Sequence, residues 1–254
     1  METISVALAT FNEEKNLGDC LKSVKGLADE IIIVDGSSTD KTAEIAKSFG
    51  AKVIITDNPM MFHINKQKAI DLATCDWVLQ LDADERLTPE LVEEIKDTVE
   101  TAGKTNGFWI PRKNYFLGRF LMKGGQYPDY MLRLYRRGKG HLPQKSVHEQ
   151  AIVEGKTGYL KNPLIHMADA QFSRYLNRFG RYTDHIAKEL DEKKVGLNPV
   201  IAAKYMAFFP SWWFVSTYLR HKGFMDLWSG FVFSFFSSMR FPVSYVKYLK
   251  KKVQ

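Results

Sequence analysis

Cysteine is nearly absent: Cys20 and Cys75 are the only two in 254 residues. Two thiols build neither a disulfide framework nor a cysteine-based zinc site. A reduced, cytosolic setting is therefore the default expectation. Long apolar runs are missing too. The uncharged stretches Tyr205–Leu219 and Leu227–Met239 reach 15 and 13 residues, short of the roughly 20 that span a bilayer. No internal repeat or low-complexity tract occurs, and no recognised nucleic-acid-binding motif accompanies the positive charge, so no nucleic-acid partner is expected. The opening METISVALATFNEE has Glu2 where a signal peptide would be basic, and it reads as a first strand.

The acids that are absent are absent from one place. Residues 204–254 hold eight Lys and Arg, a single acid, Asp226, and 16 of the 33 aromatics, whereas residues 1–203 carry 28 charges of each sign. The net charge of +7 therefore sits in this tail. Aromatics mixed with cations suit a surface lying in the lipid headgroup layer. The alternative is a helical subdomain whose aromatics form its own core.

The first half alternates strand and helix signals. Apolar runs at Ile4–Ala9, Glu30–Val34, Ala51–Ile55, Trp77–Leu81 and Gly107–Ile110 predict five strands. Between them lie a helix capped by Asn12, a helix over Lys41–Phe49, one from Phe62 to Ala73, and one over Glu90–Thr101 opened by Thr88 and Pro89. Successive β–α units predict an α/β fold with a mostly parallel sheet covered on both faces. Residues 112–145 then carry nine basic residues and one acid, Asp129. Residues 171–193 predict an amphipathic helix with Phe172, Tyr175, Leu176, Phe179, Tyr182, Ile186 and Leu190 on one face.

In open parallel sheets, ligands bind beyond the carboxyl ends of the strands. Polar residues collect there: Thr10-Phe11-Asn12-Glu13, Asp35-Gly36-Ser37 and Asp82-Ala83-Asp84-Glu85. Several acids facing one crevice call for a positive guest, and carboxylates suit Mg²⁺ or Mn²⁺ held together with substrate phosphates.

The motif WVLQLDADE resembles the strand-plus-DxD motif of family 2 glycosyltransferases, which are inverting enzymes of the GT-A fold. ATFNEEKNL and IIIVDGSSTDKTAEIA are similar to that family's other two N-terminal signatures, in the same order. PDYMLRLYRRGKGHLPQKSVHEQ followed by PLIHMAD resembles the branch of lipopolysaccharide core glucosyltransferases, and the resemblance covers residues 1–190.

The resemblance implies roles. Phe11 packs near the nucleobase beside Ala9 and Glu13, and Asp35 accepts hydrogen bonds from the base. Asp82 faces the ribose or the metal-bound diphosphate and is a candidate metal ligand, Asp84 ligates the metal directly, and His166 completes its shell or is a structural histidine. Glu85 braces the site. Lys66 is a phosphate cation or a solvated helix lysine. Arg133, Arg136 and Arg137 hold the diphosphate or an anionic acceptor, with alternation placing Arg136 on the opposite face from Arg133. The base that deprotonates the acceptor hydroxyl is Glu149 or Asp129, with Glu149 preferred.

These readings imply a metal-dependent transferase moving a hexose, glucose first among the candidates, from a UDP-sugar to a glycan or glycolipid such as lipopolysaccharide core. The expected organisation is a nucleotide-sugar half over 1–110, an acceptor and catalytic half over 111–195, and a helical membrane-surface extension over 196–254. The expected location is cytoplasmic, peripheral to the inner face of the cytoplasmic membrane. A polyprenyl-phosphate glycosyltransferase is the near alternative. A membrane-bound scaffold with a degenerate domain is the non-enzymatic one. A nucleotidyltransferase is disfavoured because TFNEEKN stands where its glycine-rich loop would be.

Overall fold

The computed structural model describes residues 1–59, 61–143, 150–169 and 172–253. The chain forms two compact units: Met1–Arg112 with Asp129–His166, and Lys113–Pro128 with Met167–Gln254. The segment 111–195, expected as one half, is thus shared between them.

The first unit opens with β1 (Ile4–Thr10), α1 (Leu17–Ser23), β2 (Glu30–Asp35), α2 (Thr42–Ser48), β3 (Lys52–Ile55), α3 (His63–Asp71) and β4 (Trp77–Leu81). Along the chain then come β5 (Glu85–Leu87), α4 (Pro89–Thr101), β6 (Thr105–Phe116), β7 (Arg119–Phe120), which belongs to the second unit, and β8 (Asp129–Arg136). Short strands β9 (Gly140–His141), β10 (Ile152–Val153), β11 (Lys156–Tyr159) and β12 (Leu164–Asp169) follow. The large sheet has the order β3-β2-β1-β4-β8-β6-β12-β5. Strands β1 to β4 are mutually parallel, as the β–α alternation predicts, while β8 runs antiparallel to both β4 and β6. The fifth predicted strand, inside β6, therefore does not lie beside β4, because β8 comes between them.

Hydrophobic burial explains why these runs are strands. Every residue of β4 is buried, and Val6, Leu8, Ile33, Leu79 and Leu81 join Leu17, Leu21, Leu91 and Ile95 in one core. Ala7, Ile32, Val34 and Val78 point the other way, onto Ala69 and Ile70 of α3. Covering both faces removes the period-2 polarity that a half-exposed strand would show. Thr88 caps α4 as predicted, its hydroxyl accepting the Leu91 N–H at 3.2 Å with Pro89 in the first turn. Asn12 does not cap α1. It sits at φ 54° and its side chain accepts the Thr39 N–H at 2.9 Å, tying the loop after β1 to the loop after β2.

In the second unit, α5 (Phe172–Glu192), α6 (Pro199–Ala203), α7 (Phe209–Phe214) and α8 (Leu227–Val253) follow in order, with π-helical turns at Lys204–Phe208 and Val215–Arg220. The buried stripe of α5 is Tyr175, Thr183, Ala187 and Leu190. This differs from the predicted face, since Phe172, Leu176 and Tyr182 are exposed. Small Thr183 and Ala187 let α8 approach, and Lys247 of α8 donates to Gly180 O at 2.9 Å and Thr183 Oγ1 at 2.8 Å. The tail's aromatics divide: Tyr245 and Tyr248 are core, while Phe208, Trp212 and Trp228 are exposed. Among the described residues no helix is long and apolar enough to cross a membrane.

Candidate active site

The site lies in the first unit, beyond the carboxyl ends of β1 and β4. Gln80 is a polar residue inside an otherwise apolar strand, and burying its amide without a partner would be costly. The partner is Arg133 of β8, whose guanidinium donates to Gln80 Oε1. The same guanidinium donates to Asp82 Oδ2 at 2.6 Å and to Glu85 Oε1 at 2.7 Å. Glu85 also accepts from Arg112 at 3.4 Å and, through its other oxygen, from the Asp82 N–H at 2.9 Å. Arg112 donates twice to Asp129 Oδ2, at 3.0 and 2.7 Å. Lys66 of α3 forms a close ion pair with Asp82. Three carboxylates and three cations thus alternate in one chain of contacts.

Burial sets the electrostatics. It would by itself raise the Asp82 carboxyl, but Arg133 and Lys66 overcome it and hold the group well below the usual carboxylate range. Burial would likewise weaken the charge on Arg133, and Asp82 with Glu85 reverse this, raising it above an ordinary guanidinium. The buried thiol of Cys20 is pushed up by desolvation and by the nearby Glu85, Asp84 and Asp82 charges, so it stays protonated and is no nucleophile.

Two cavities of about 330 and 320 Å³ share Phe62, Lys66 and Asp82. The first is lined also by Arg112, Asp129, Met131, Arg133 and Gln150. The second is lined by Ala9, Phe11, Glu13, Asn58, Asp84 and His166. Phe11 is 44% exposed, free to present its ring to a ligand. His166 Nε2 stands 3.6 Å from Asp84 Oδ2.

A divalent cation fits this donor set as a partial shell. Among the described residues no three metal-binding side chains converge, but Mg²⁺ and its relatives usually take one or two protein carboxylates and complete the sphere with phosphates and water. The Asp84–His166 pair offers that. Asp82 is engaged by two cations instead.

Several expected residues are placed differently. Asp35 is fully buried, and its oxygens accept from Thr10 Oγ1 at 2.8 Å, Ser38 Oγ at 2.6 Å and the Ser38 N–H at 2.8 Å. It fixes the turn and presents no surface to a base. Arg133 is 4% exposed and occupied by Asp82 and Glu85, so it organises carboxylates instead of meeting a phosphate. Arg136 is remote from the crevice: it stacks on Trp77 at 4.6 Å and pairs with Glu2 at 3.4 Å, at the opposite end of β4. Alternation along β8 forces this, since Arg133 and Arg136 face opposite sides. His148 and Glu149 lie outside the described residues. Arg112 and Phe62 are site residues that sequence reasoning missed. The one signal for Arg112 was a charge two positions past the predicted apolar strand Gly107–Ile110.

With the geometry in place, the comparisons are specific. The model of glycosyl transferase family 2 matches residues 5–152. The chain belongs to glycosyl transferase family 2. It is a glycosyltransferase, and several relatives that carry that name match over most of their length. The lipopolysaccharide core biosynthesis glycosyltransferase LpsC of Rhizobium meliloti is 29% identical over 93% of this chain and 91% of its own. An uncharacterized glycosyltransferase of Rickettsia typhi is 29% identical over 91% of this chain and 82% of its own. Among solved structures, the mannosyltransferase PcManGT from Pyrobaculum calidifontis, in complex with GDP-Man and Mn²⁺, superposes with TM-score 0.59 at 12% identity. It covers 99% of this chain and 88% of that one. At that identity the likeness establishes the GT-A fold.

Proposed function

We propose that this glycosyltransferase moves a hexose, with inversion, from a UDP-sugar to a saccharide on a lipid-anchored acceptor of the lipopolysaccharide-core type. The observation that carries this reading is the pair of cavities meeting at Lys66 and Asp82: a two-substrate transfer needs a donor and an acceptor to meet at one wall. The Phe11 cavity takes the nucleotide, its ring against the base and Glu13 beside it. Asp84 and His166 would hold Mg²⁺ or Mn²⁺ there, and the cation would stabilise the leaving diphosphate. Lys66 supports the same charge. Arg133 and Glu85 keep Asp82 fixed at the junction, so no reorganisation is needed as charge develops. The other cavity takes the acceptor, with Arg112 holding Asp129 in place. Glu149 removes the acceptor proton as the oxygen attacks the anomeric carbon. Its chain neighbours Gln150 and Ala151 line that cavity. The core-biosynthesis relative supports the acceptor class.

The test is transfer to lipopolysaccharide-core acceptors with product anomers assigned by NMR. Inversion is expected, and Glu149→Gln is expected to slow transfer about 10²-fold or more with donor binding unchanged. Retention of configuration would overturn the mechanism. An unaffected Glu149→Gln rate would favour a polyprenyl-phosphate acceptor, which is already an anion and needs no base.

A membrane surface belongs to this reading. Phe208, Trp212, Val215 and Leu219 are exposed along the helical stretch 204–220, and Phe224, Met225, Leu227 and Trp228 are exposed close behind. Lys204, Arg220 and Lys222 border them. Asp226, the only acid in 204–254, is buried and accepts the Lys123 N–H at 2.7 Å, so residues 204–254 contribute cations and no exposed acid to this surface. Such a face lies in the headgroup layer of an anionic membrane, at the inner face of the cytoplasmic membrane in this reading. Each buried aromatic contributes about 1.5–3 kcal/mol, so Trp212→Ser with Trp228→Ser is expected to weaken sedimentation with phosphatidylglycerol vesicles at least tenfold. Undiminished binding would refute the assignment.

A further inference from the structure

Within the second unit, α5 and α8 line an open cavity of about 330 Å³ whose walls include Tyr175, Phe179, Tyr182, Phe233, Arg178 and Arg240. That volume is at the lower end of small-molecule sites, which run from about 300 to 1,000 Å³.

Arg240 is the unusual member. Its guanidinium lies 4.0 Å from the Trp213 ring and 4.8 Å from the Phe241 ring. Tyr175 and Tyr182 also stand close enough to act on its charge, and among the described residues it forms no ion pair. Two other cations of α8 are matched by acids of α5: Lys247 pairs with Asp184 at 2.8 Å and Lys252 with Asp191 at 2.5 Å. A guanidinium packed against aromatic faces keeps its in-plane N–H groups for hydrogen bonding. A half-buried cation without a counter-charge is costly unless an anion is supplied. Burial also pushes Arg240 below its ordinary value, consistent with a missing partner.

We infer that this cavity binds the phosphate headgroup of one lipid molecule, with Arg240 as the primary anion contact, Arg178 beside it and the aromatic walls taking the first part of the chain. Arg suits phosphate because its fork donates two parallel hydrogen bonds. The aromatic walls favour a phosphate carried on an apolar body over a free ion. This is a discrete site, separate from the exposed Trp212 and Trp228 face, and it is testable without a bilayer and without any assumption about the donor or acceptor.

The experiment titrates the full chain with dihexanoylphosphatidate below its micelle concentration, with dihexanoylphosphatidylcholine, and with inorganic phosphate. Calorimetry gives affinities. Tryptophan fluorescence reports locality, with Trp213→Phe as the reporter control. Saturable phosphatidate binding is expected, at least tenfold tighter than either comparison ligand, with a fluorescence change lost in Trp213→Phe. Arg240→Gln is expected to weaken it at least tenfold, as loss of a charged hydrogen bond does, and Arg240→Lys by a smaller factor. Equal binding of phosphatidylcholine would mean an apolar pocket with no anion role and overturn the inference. Equal binding of inorganic phosphate would mean an anion site that does not recognise lipid and also overturn it. Absent saturation, or an Arg240→Gln chain that binds like the parent, refutes it. The ligand comparison on the unmodified chain decides the matter even if Arg240→Gln fails to fold.

Discussion

Arg133→Met is expected to lower the unfolding free energy by about 3–5 kcal/mol, the range for breaking a buried ion pair from one side. Arg133 is 4% exposed and Glu85 is fully buried, and the guanidinium bridges Glu85, Asp82 and Gln80. Methionine fills much of the volume but leaves two carboxylates and an amide oxygen facing it. Lys66 still compensates Asp82, and Arg112 reaches Glu85 at 3.4 Å, which places the expectation toward the lower end of the range. Adding Glu85→Gln removes one stranded charge and should recover part of the loss, so the two changes are non-additive. Urea unfolding of the single and double variants measures this. A loss under about 1 kcal/mol would show that the network is surface-like in its energetics.

Asp84→Ala is expected to reduce transfer about 10³-fold while leaving the unfolding midpoint nearly unchanged. A cation on a leaving diphosphate supplies several kcal/mol of transition-state stabilisation, and about 4 kcal/mol corresponds to roughly 10³ in rate. Asp84 lines a cavity wall beside His166, and the variant keeps Arg133 bridging Asp82 and Glu85, so the larger effect is expected on activity. The check is kcat at saturating donor across a Mn²⁺ titration. Activity within tenfold of the parent at all metal concentrations would contradict the assignment of Asp84 as a ligand.

The residues divide by how local their causes are. WVLQL was legible because a strand buried on both faces has to be apolar throughout, and Thr88-Pro89 because a cap and a first-turn proline act within one turn. Gln80 was not legible, since its reason is Arg133, 53 positions away on a strand that enters the sheet out of sequence order. Asp35 reads the same before a glycine turn whether it meets a ligand or holds the turn, and Thr10, 25 positions earlier, settles its placement. Arg136 failed as a ligand because strand alternation turned it toward Trp77 and Glu2. On α5 the helical period was right but the buried stripe was displaced: α8 requires small Thr183 and Ala187 at the closest approach, and bulky Leu176 and Tyr182 are exposed. The family signatures sit at the first, second and fourth strands, where the backbone is fixed by local pattern. The acceptor side depends on long-range pairing and left little local signal.

The most direct measurement is calorimetric binding of UDP-glucose, UDP-galactose, UDP-N-acetylglucosamine and GDP-mannose to the full chain, with Mn²⁺ and with chelator. The account predicts that one UDP-sugar binds with Mn²⁺ and that chelation weakens it at least tenfold, since on the proposed reading Asp84 and His166 would supply only part of a metal shell, which donor oxygens would complete. Tight binding indifferent to chelator, or no binding of any of the four by a folded chain, would contradict it.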